Sequence, residues 1–142
     1  MRVMAIDYGT RAIGVAISDE LQITSRPLLT LRRGKGQWRP LEQICRLVLE
    51  HEIGLLLVGL PLRMDGTRGD AARRVEGVIS SLRKRLSLPV VAVDERLTSR
   101  EADAILREHG AGLRERRERS DELAAAIILQ QYLDTTSSPS PH

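Results

Sequence analysis

Leu55-Leu56-Leu57-Val58-Gly59-Leu60 is an unbroken apolar run stopped by Pro61. A strand with one face in water alternates apolar and polar residues, whereas one that does not alternate is covered on both faces. The run predicts a central parallel strand with helices above and below it, which commits the chain to a layered α/β fold. It is far too short to span a bilayer. At 142 residues the chain has length for one ordinary domain with a real core, and too little for two.

The rest of the chain fits that frame. Residues 2–7 form a second run buried on both faces, 12–18 a further strand, and Asp19-Glu20 a hairpin tip before a third strand over 21–31, where Pro27 marks an edge. From Leu41 the apolar period becomes helical, with Leu41, Ile44, Cys45 and Val48 on one face as far as Gly54. After the central strand, Asp65-Gly66 signals a turn. A second helix then runs to about Leu86 and buries Ala71, Val75, Val78, Ile79, Leu82 and Leu86. Residues 89–93 make the fifth strand. Thr98-Ser99-Arg100-Glu101 is a capping box for a third helix reaching His109-Gly110. Leu113 to Arg119 lacks an apolar period and reads as a loop or a short solvated helix, with Ser120 capping a last helix over 123–133. Residues 135–142 are a polar tail, expected to be disordered. An opening meander followed by parallel crossovers is consistent with one mixed five-stranded sheet in the order 3-2-1-4-5.

Composition narrows function. There is no Phe, and the three aromatics, Tyr8, Trp38 and Tyr132, are scattered, which argues against a base-stacking platform. The net charge is +3, and Arg forks suit phosphate oxygens, so the Arg-rich basic content gives weak support for a nucleic-acid partner. Cys45 stands alone and reads as an inert, buried thiol. No secretory signal opens the chain, so a cytoplasmic protein without a membrane segment is expected.

The chemistry lies in the acids. In such a sheet, sites gather beyond the carboxyl ends of the parallel strands. Asp7 ends the first of them, and Asp94-Glu95 the fifth. Asp121, placed in the first turn of the last helix, would face the packed side above Ala124, Ala125 and Ile128. Carboxylates brought together repel unless a cation lies between them, and all-oxygen ligands suit Mg²⁺ or Mn²⁺. With two strand spacings, roughly 9–10 Å, between the first and fifth strands, either Glu95 reaches inward or Asp94 takes its place.

Four blocks, AIDYGTRAIGVAISD, VGLPLRMDGT, VDERLTSREAD and SDELAAAIILQQYLD, resemble the YqgF/RuvX family in order and spacing, over Asp7 to Asp134. Its members are pre-16S rRNA nucleases related to Holliday-junction resolvases within the ribonuclease H-like fold. The resemblance implies one nuclease domain over residues 1–134. It also implies acidic active-site residues at Asp7, Glu95 and Asp121, which hold the metal, and a neighbouring loop shaped by Gly59, Pro61, Asp65 and Gly66. Substrate would approach the backbone at Gly9, beside Thr10 and Arg11. Arg63, Arg68, Arg96 and Thr98 would flank it, with the Arg side chains holding phosphates. Pre-rRNA and branched DNA are both open as substrates, and junction cutting would call for a homodimer.

Two other readings compete. Asp7-Tyr8-Gly9-Thr10 also matches the phosphate loop of actin-like and sugar-kinase phosphotransferases, which need a second domain to close over ATP. A non-catalytic nucleic-acid-binding module is the other.

Overall fold

The computed structural model of the protein describes residues 1–9, 11–34, 37–95, 104, 108 and 113–137, and in the last stretch the side chains of 121–135. Five strands, β1 (Arg2–Tyr8), β2 (Ala12–Ser18), β3 (Ser25–Arg32), β4 (Ile53–Leu60) and β5 (Val90–Asp94), form one sheet in the order β3-β2-β1-β4-β5. The pairs β1–β2 and β2–β3 are antiparallel, and β1–β4 and β4–β5 are parallel. This is the mixed sheet that the run pattern predicts.

The non-alternating strands are explained by helices on both faces. Met4 and Ile6 of β1 pack with Ile44 and Val48 of α1 (Pro40–Glu50) and with Val75, Ile79 and Leu82 of α2 (Asp70–Arg85). The alternate residues Val3 and Ala5 pack on the other face with Ala125, Ile128, Leu129 and Leu133 of α3 (Leu113–Ser137). Cys45 is half-buried at the rim of the first layer, where burial raises its thiol pKa.

Three expectations need correction. The third strand starts at Ser25 rather than Leu21, because the Asp19 carboxylate accepts the N–H groups of Ile23 at 2.7 Å and Thr24 at 3.0 Å and so extends the turn. In α2 it is Ala72 that is fully buried, not Ala71. Most important, α3 is one helix from Leu113 to Ser137, running through the expected loop and three residues into the expected tail. Arg and Glu are good helix formers, so propensity carries the helix where no apolar stripe announces it. The helix expected from Thr98 lies outside the described residues except at Ala104 and Glu108, both helical. Among the described residues no helix is long and apolar enough to cross a membrane.

Candidate active site

Strand alternation turns Asp7 to the α3 face, in line with Val3 and Ala5. In register it lies beside Gly14 of β2, and Gly14 lies beside Thr30 of β3. Helix α3 crosses directly over this row. A Cβ on Gly14 would collide with the backbone carbonyl of Asp121 and would come within 2.6 Å of the Glu122 nitrogen. Beyond Gly14, the Thr30 hydroxyl donates to Glu122 Oε2 at 3.3 Å. Further along, Ser25 donates its N–H to Gln130 Oε1 at 2.9 Å and its hydroxyl to the Ala126 carbonyl at 2.8 Å. The bare Gly14, the small Ala124–Ala126 surface and the β3 hydrogen bonds together lower Asp121 toward Asp7. The expected place of Asp121 in the first turn of a helix is thus replaced. It sits more than two turns inside α3, beyond the reach of the helix-end dipole.

A second glycine solves the problem of distance on the other side. A Cβ on Gly59 of β4 would lie 2.5 Å from Glu95 Oε2 and 2.8 Å from Ile128 Cδ1. Its absence leaves a gap over β4 through which the Glu95 side chain crosses from the end of β5 and hydrogen-bonds Asp7. Asp94 is exposed, so of the two candidates it is Glu95 that reaches Asp7.

The crowding has an electrostatic signature. Glu95 is pushed up to about 9, first by burial, then by its hydrogen bond to Asp7 and by the charges of Asp7, Asp121 and Asp94. Asp7 is raised by burial, partly offset because the protonated Glu95 donates to it. Asp121 is raised by burial and by the Asp7 charge, against which Arg32 acts. A proton held between Asp7 and Glu95 offsets the repulsion of the two carboxylates.

The acids form one wall of a cavity of about 510 Å³. Tyr8, Trp38, Ala71 and Val75 line the rest, with Arg33 and Arg74 beside them. These two Arg residues were not singled out in the sequence. Arg33 follows β3 directly, and its backbone N–H donates to the carbonyl of Arg11, the residue before β2, at 2.8 Å. Arg74 is exposed on α2 and borders the cavity beside Ala71 and Val75. Of the Arg residues expected at the site, Arg11, Arg63 and Arg68 are not part of the cavity lining. Arg63 lies across its own loop, with Nε 2.8 Å from where a Gly69 Cβ would be. Arg68 pairs with Glu76 at 3.0 Å. Thr10, Arg96 and Thr98 fall outside the described residues. Gly9 lines the cavity, but its constraint is internal: its N–H donates to the Ala12 carbonyl at 2.9 Å, and a Cβ would stand 2.7 Å from that oxygen.

A donor set of three carboxylates without His or Cys fits a hard divalent cation, and the shared proton marks where that charge is wanted. Among the described residues no three potential ligands yet stand within common reach of one ion.

A sheet of this order, with helices on both faces, has the ribonuclease H-like fold. The backbone is similar to RuvC of Thermus thermophilus, with a TM-score of 0.56 at 15% identity over 96% of each chain. The similarity to RuvC in complex with a Holliday junction substrate has a TM-score of 0.58 at 16% identity, over 96% of this chain and 95% of that one. At that identity the likeness concerns the fold. The sequence profile of the RuvX family, described as Holliday junction resolvase, matches residues 1–135. A "Putative pre-16S rRNA nuclease" of Natranaerobius thermophilus is 40% identical over 134 residues, 94% of each chain. A protein of the same name from Syntrophus aciditrophicus is 41% identical over 138 residues, 96% of this chain and 91% of that one. The chain belongs to the RuvX family, and with it to the hydrolases of phosphodiester bonds.

Proposed function

We propose that the protein is a divalent-metal-dependent nuclease that trims the 5′ end of precursor 16S rRNA, with Asp7, Glu95 and Asp121 as its catalytic carboxylates. The observation that carries this reading is the approach of Glu95 and Asp121 to Asp7 from opposite sides, each through a gap left by a glycine. The substrate is the one named for relatives about 40% identical over nearly the whole chain.

Asp7, Glu95 and Asp121 would hold Mg²⁺ or Mn²⁺. A bound ion would activate a water for in-line attack and offset charge on the leaving oxygen, giving a 5′-phosphate and a 3′-hydroxyl. Glu95 must first give up a proton that burial and its closeness to Asp7 hold in place, so binding of the ion would strengthen as pH rises. Arg33 and Arg74 would grip the phosphates on either side of the scissile one.

The test is cleavage of a 5′-extended 16S precursor with Mn²⁺ by wild type and Asp7→Asn. Wild type is expected to cut and the variant to lose at least about a hundredfold in rate with its fold intact. Equal behaviour of the two would remove catalysis from the reading. The family description favours a second substrate, a four-way DNA junction, and the same assay on such a junction separates the two. Paired cuts by a two-fold dimer would mark junction resolution.

A further inference from the structure

Two of the three aromatic residues, expected from the sequence to be scattered, come together at the site. Tyr8 and Trp38 both line the acid cavity, and both line a second cavity of about 320 Å³ that also borders Pro40 and Arg85. Each is half-buried, with one flank against the core layer of α1 and α2 and the remainder toward the cavities. Tyr8 follows Asp7 directly in β1, so alternation sends it to the opposite face of the sheet from the acid. The acids and the aromatic pair therefore reach the cavity from opposite faces of the sheet, and Arg33 and Arg74 line it with them.

We infer that Tyr8 and Trp38 form a stacking subsite for one unpaired nucleobase next to the phosphate held at the acids. The inference rests on the nuclease reading for the nature of the ligand. Cations alone would suffice for a surface that only tracked backbone, whereas planar apolar groups beside them match the face of a base. The Arg side chains add phosphate contacts and cation–π attraction at the same place. The acid cavity falls in the size range of sites that enclose a small organic group. A base inside a duplex has its faces covered by its neighbours, so the subsite selects substrates unpaired at the cut. Any base offers a π-face, so it selects for strandedness and not for sequence.

Trp38 is the only tryptophan in the chain, so its emission reports the subsite directly. The experiment titrates the full-length Asp7→Asn protein, which should not cut, with end-labelled oligo(U) of about eight nucleotides, its deoxy counterpart and a blunt duplex. Binding is followed separately by anisotropy of the label. Expected are quenching of Trp38 by both single strands and not by the duplex, and about tenfold weaker single-strand binding in Trp38→Leu, restored in Trp38→Phe. Leu keeps apolar packing and Phe keeps the stacking surface, and melting temperatures of both confirm the fold. The idea is overturned if no single strand binds, if one binds without moving the emission, if the duplex quenches equally, or if the Leu variant binds like wild type. Cleavage by wild type is measured separately: a protein that quenches and never cuts would remove the nuclease reading and leave the subsite, and the reverse result would do the opposite.

Discussion

The proton that Glu95 shares with Asp7 gives the metal-free protein a defined pH dependence. In the unfolded chain Glu95 titrates near its ordinary 4.5, and in the folded protein near 9. Between those values the folded state holds a proton that the unfolded state has released, so this group's contribution to stability is complete below about pH 4.5 and is lost as pH rises toward 9. In chelator, the melting temperature should fall from pH 5 to pH 9, and Glu95→Gln should flatten that slope and be more stable near pH 8 by on the order of 2 kcal/mol. Added Mn²⁺ should stabilise wild type most at the alkaline end, where no proton competes with it. Thermal melts across pH check this, and an unchanged slope in the Gln variant would show that the shared proton is not there. The acids themselves were legible in the sequence, because carboxylates at the ends of buried strands stand out. The choice between Asp94 and Glu95 was not, since it depends on a missing side chain on the neighbouring strand. Arg33 and Arg74 escaped notice for a similar reason: what each faces belongs to a different element.

At the level of elements, two close approaches hold the acids in place, and they should fail differently. In Gly14→Ala the new methyl meets backbone, which cannot turn aside, so α3 must lift from β2. A loss of about 2–3 kcal/mol of stability and a large loss of cleavage are expected together. In Gly59→Ala the methyl meets the ends of two side chains, Glu95 and Ile128, which can rotate away. That variant should lose about 1 kcal/mol while still losing most of its cleavage, because Glu95 no longer reaches Asp7. Denaturant melts paired with rates distinguish the cases. An active Gly59→Ala would mean that Glu95 has another route. The strand order was readable from run lengths and the alternation of elements. The long reach of α3 was not, because residues 113–120 have no apolar face to give them away, and Asp121 was consequently assigned to a helix end it does not occupy. Mid-strand glycines do signal close backbone contact; Gly14 carried that signal, and Gly9 drew the attention instead.

For the molecule as a whole, a net charge of +3 is too small to gather nucleic acid by itself, and it includes three local acids that oppose it. Binding should depend on a few placed cations. Arg33→Ala and Arg74→Ala should each reduce the slope of log affinity against log salt by about one, uniformly across sequences. Arg68→Ala should leave that slope nearly unchanged, since its charge is paired with Glu76 and lies outside the cavity. Anisotropy titrations at several salt concentrations give the slopes, and a slope that responds to Arg68 alone would move the substrate path elsewhere.

Gly14 and Gly59 also bear on how such a protein can be improved. Glycine in a strand interior forgoes side-chain packing and must be ordered from an unusually free unfolded chain, a handicap of roughly 0.5–1 kcal/mol each. A search for greater heat resistance would target these positions first, since filling strand glycines is a standard route to a higher melting point. Here the same substitutions would fill the space its acids need to meet, so a hardened variant would have to find its stability elsewhere: in β3, in α1, or on the outer face of α2.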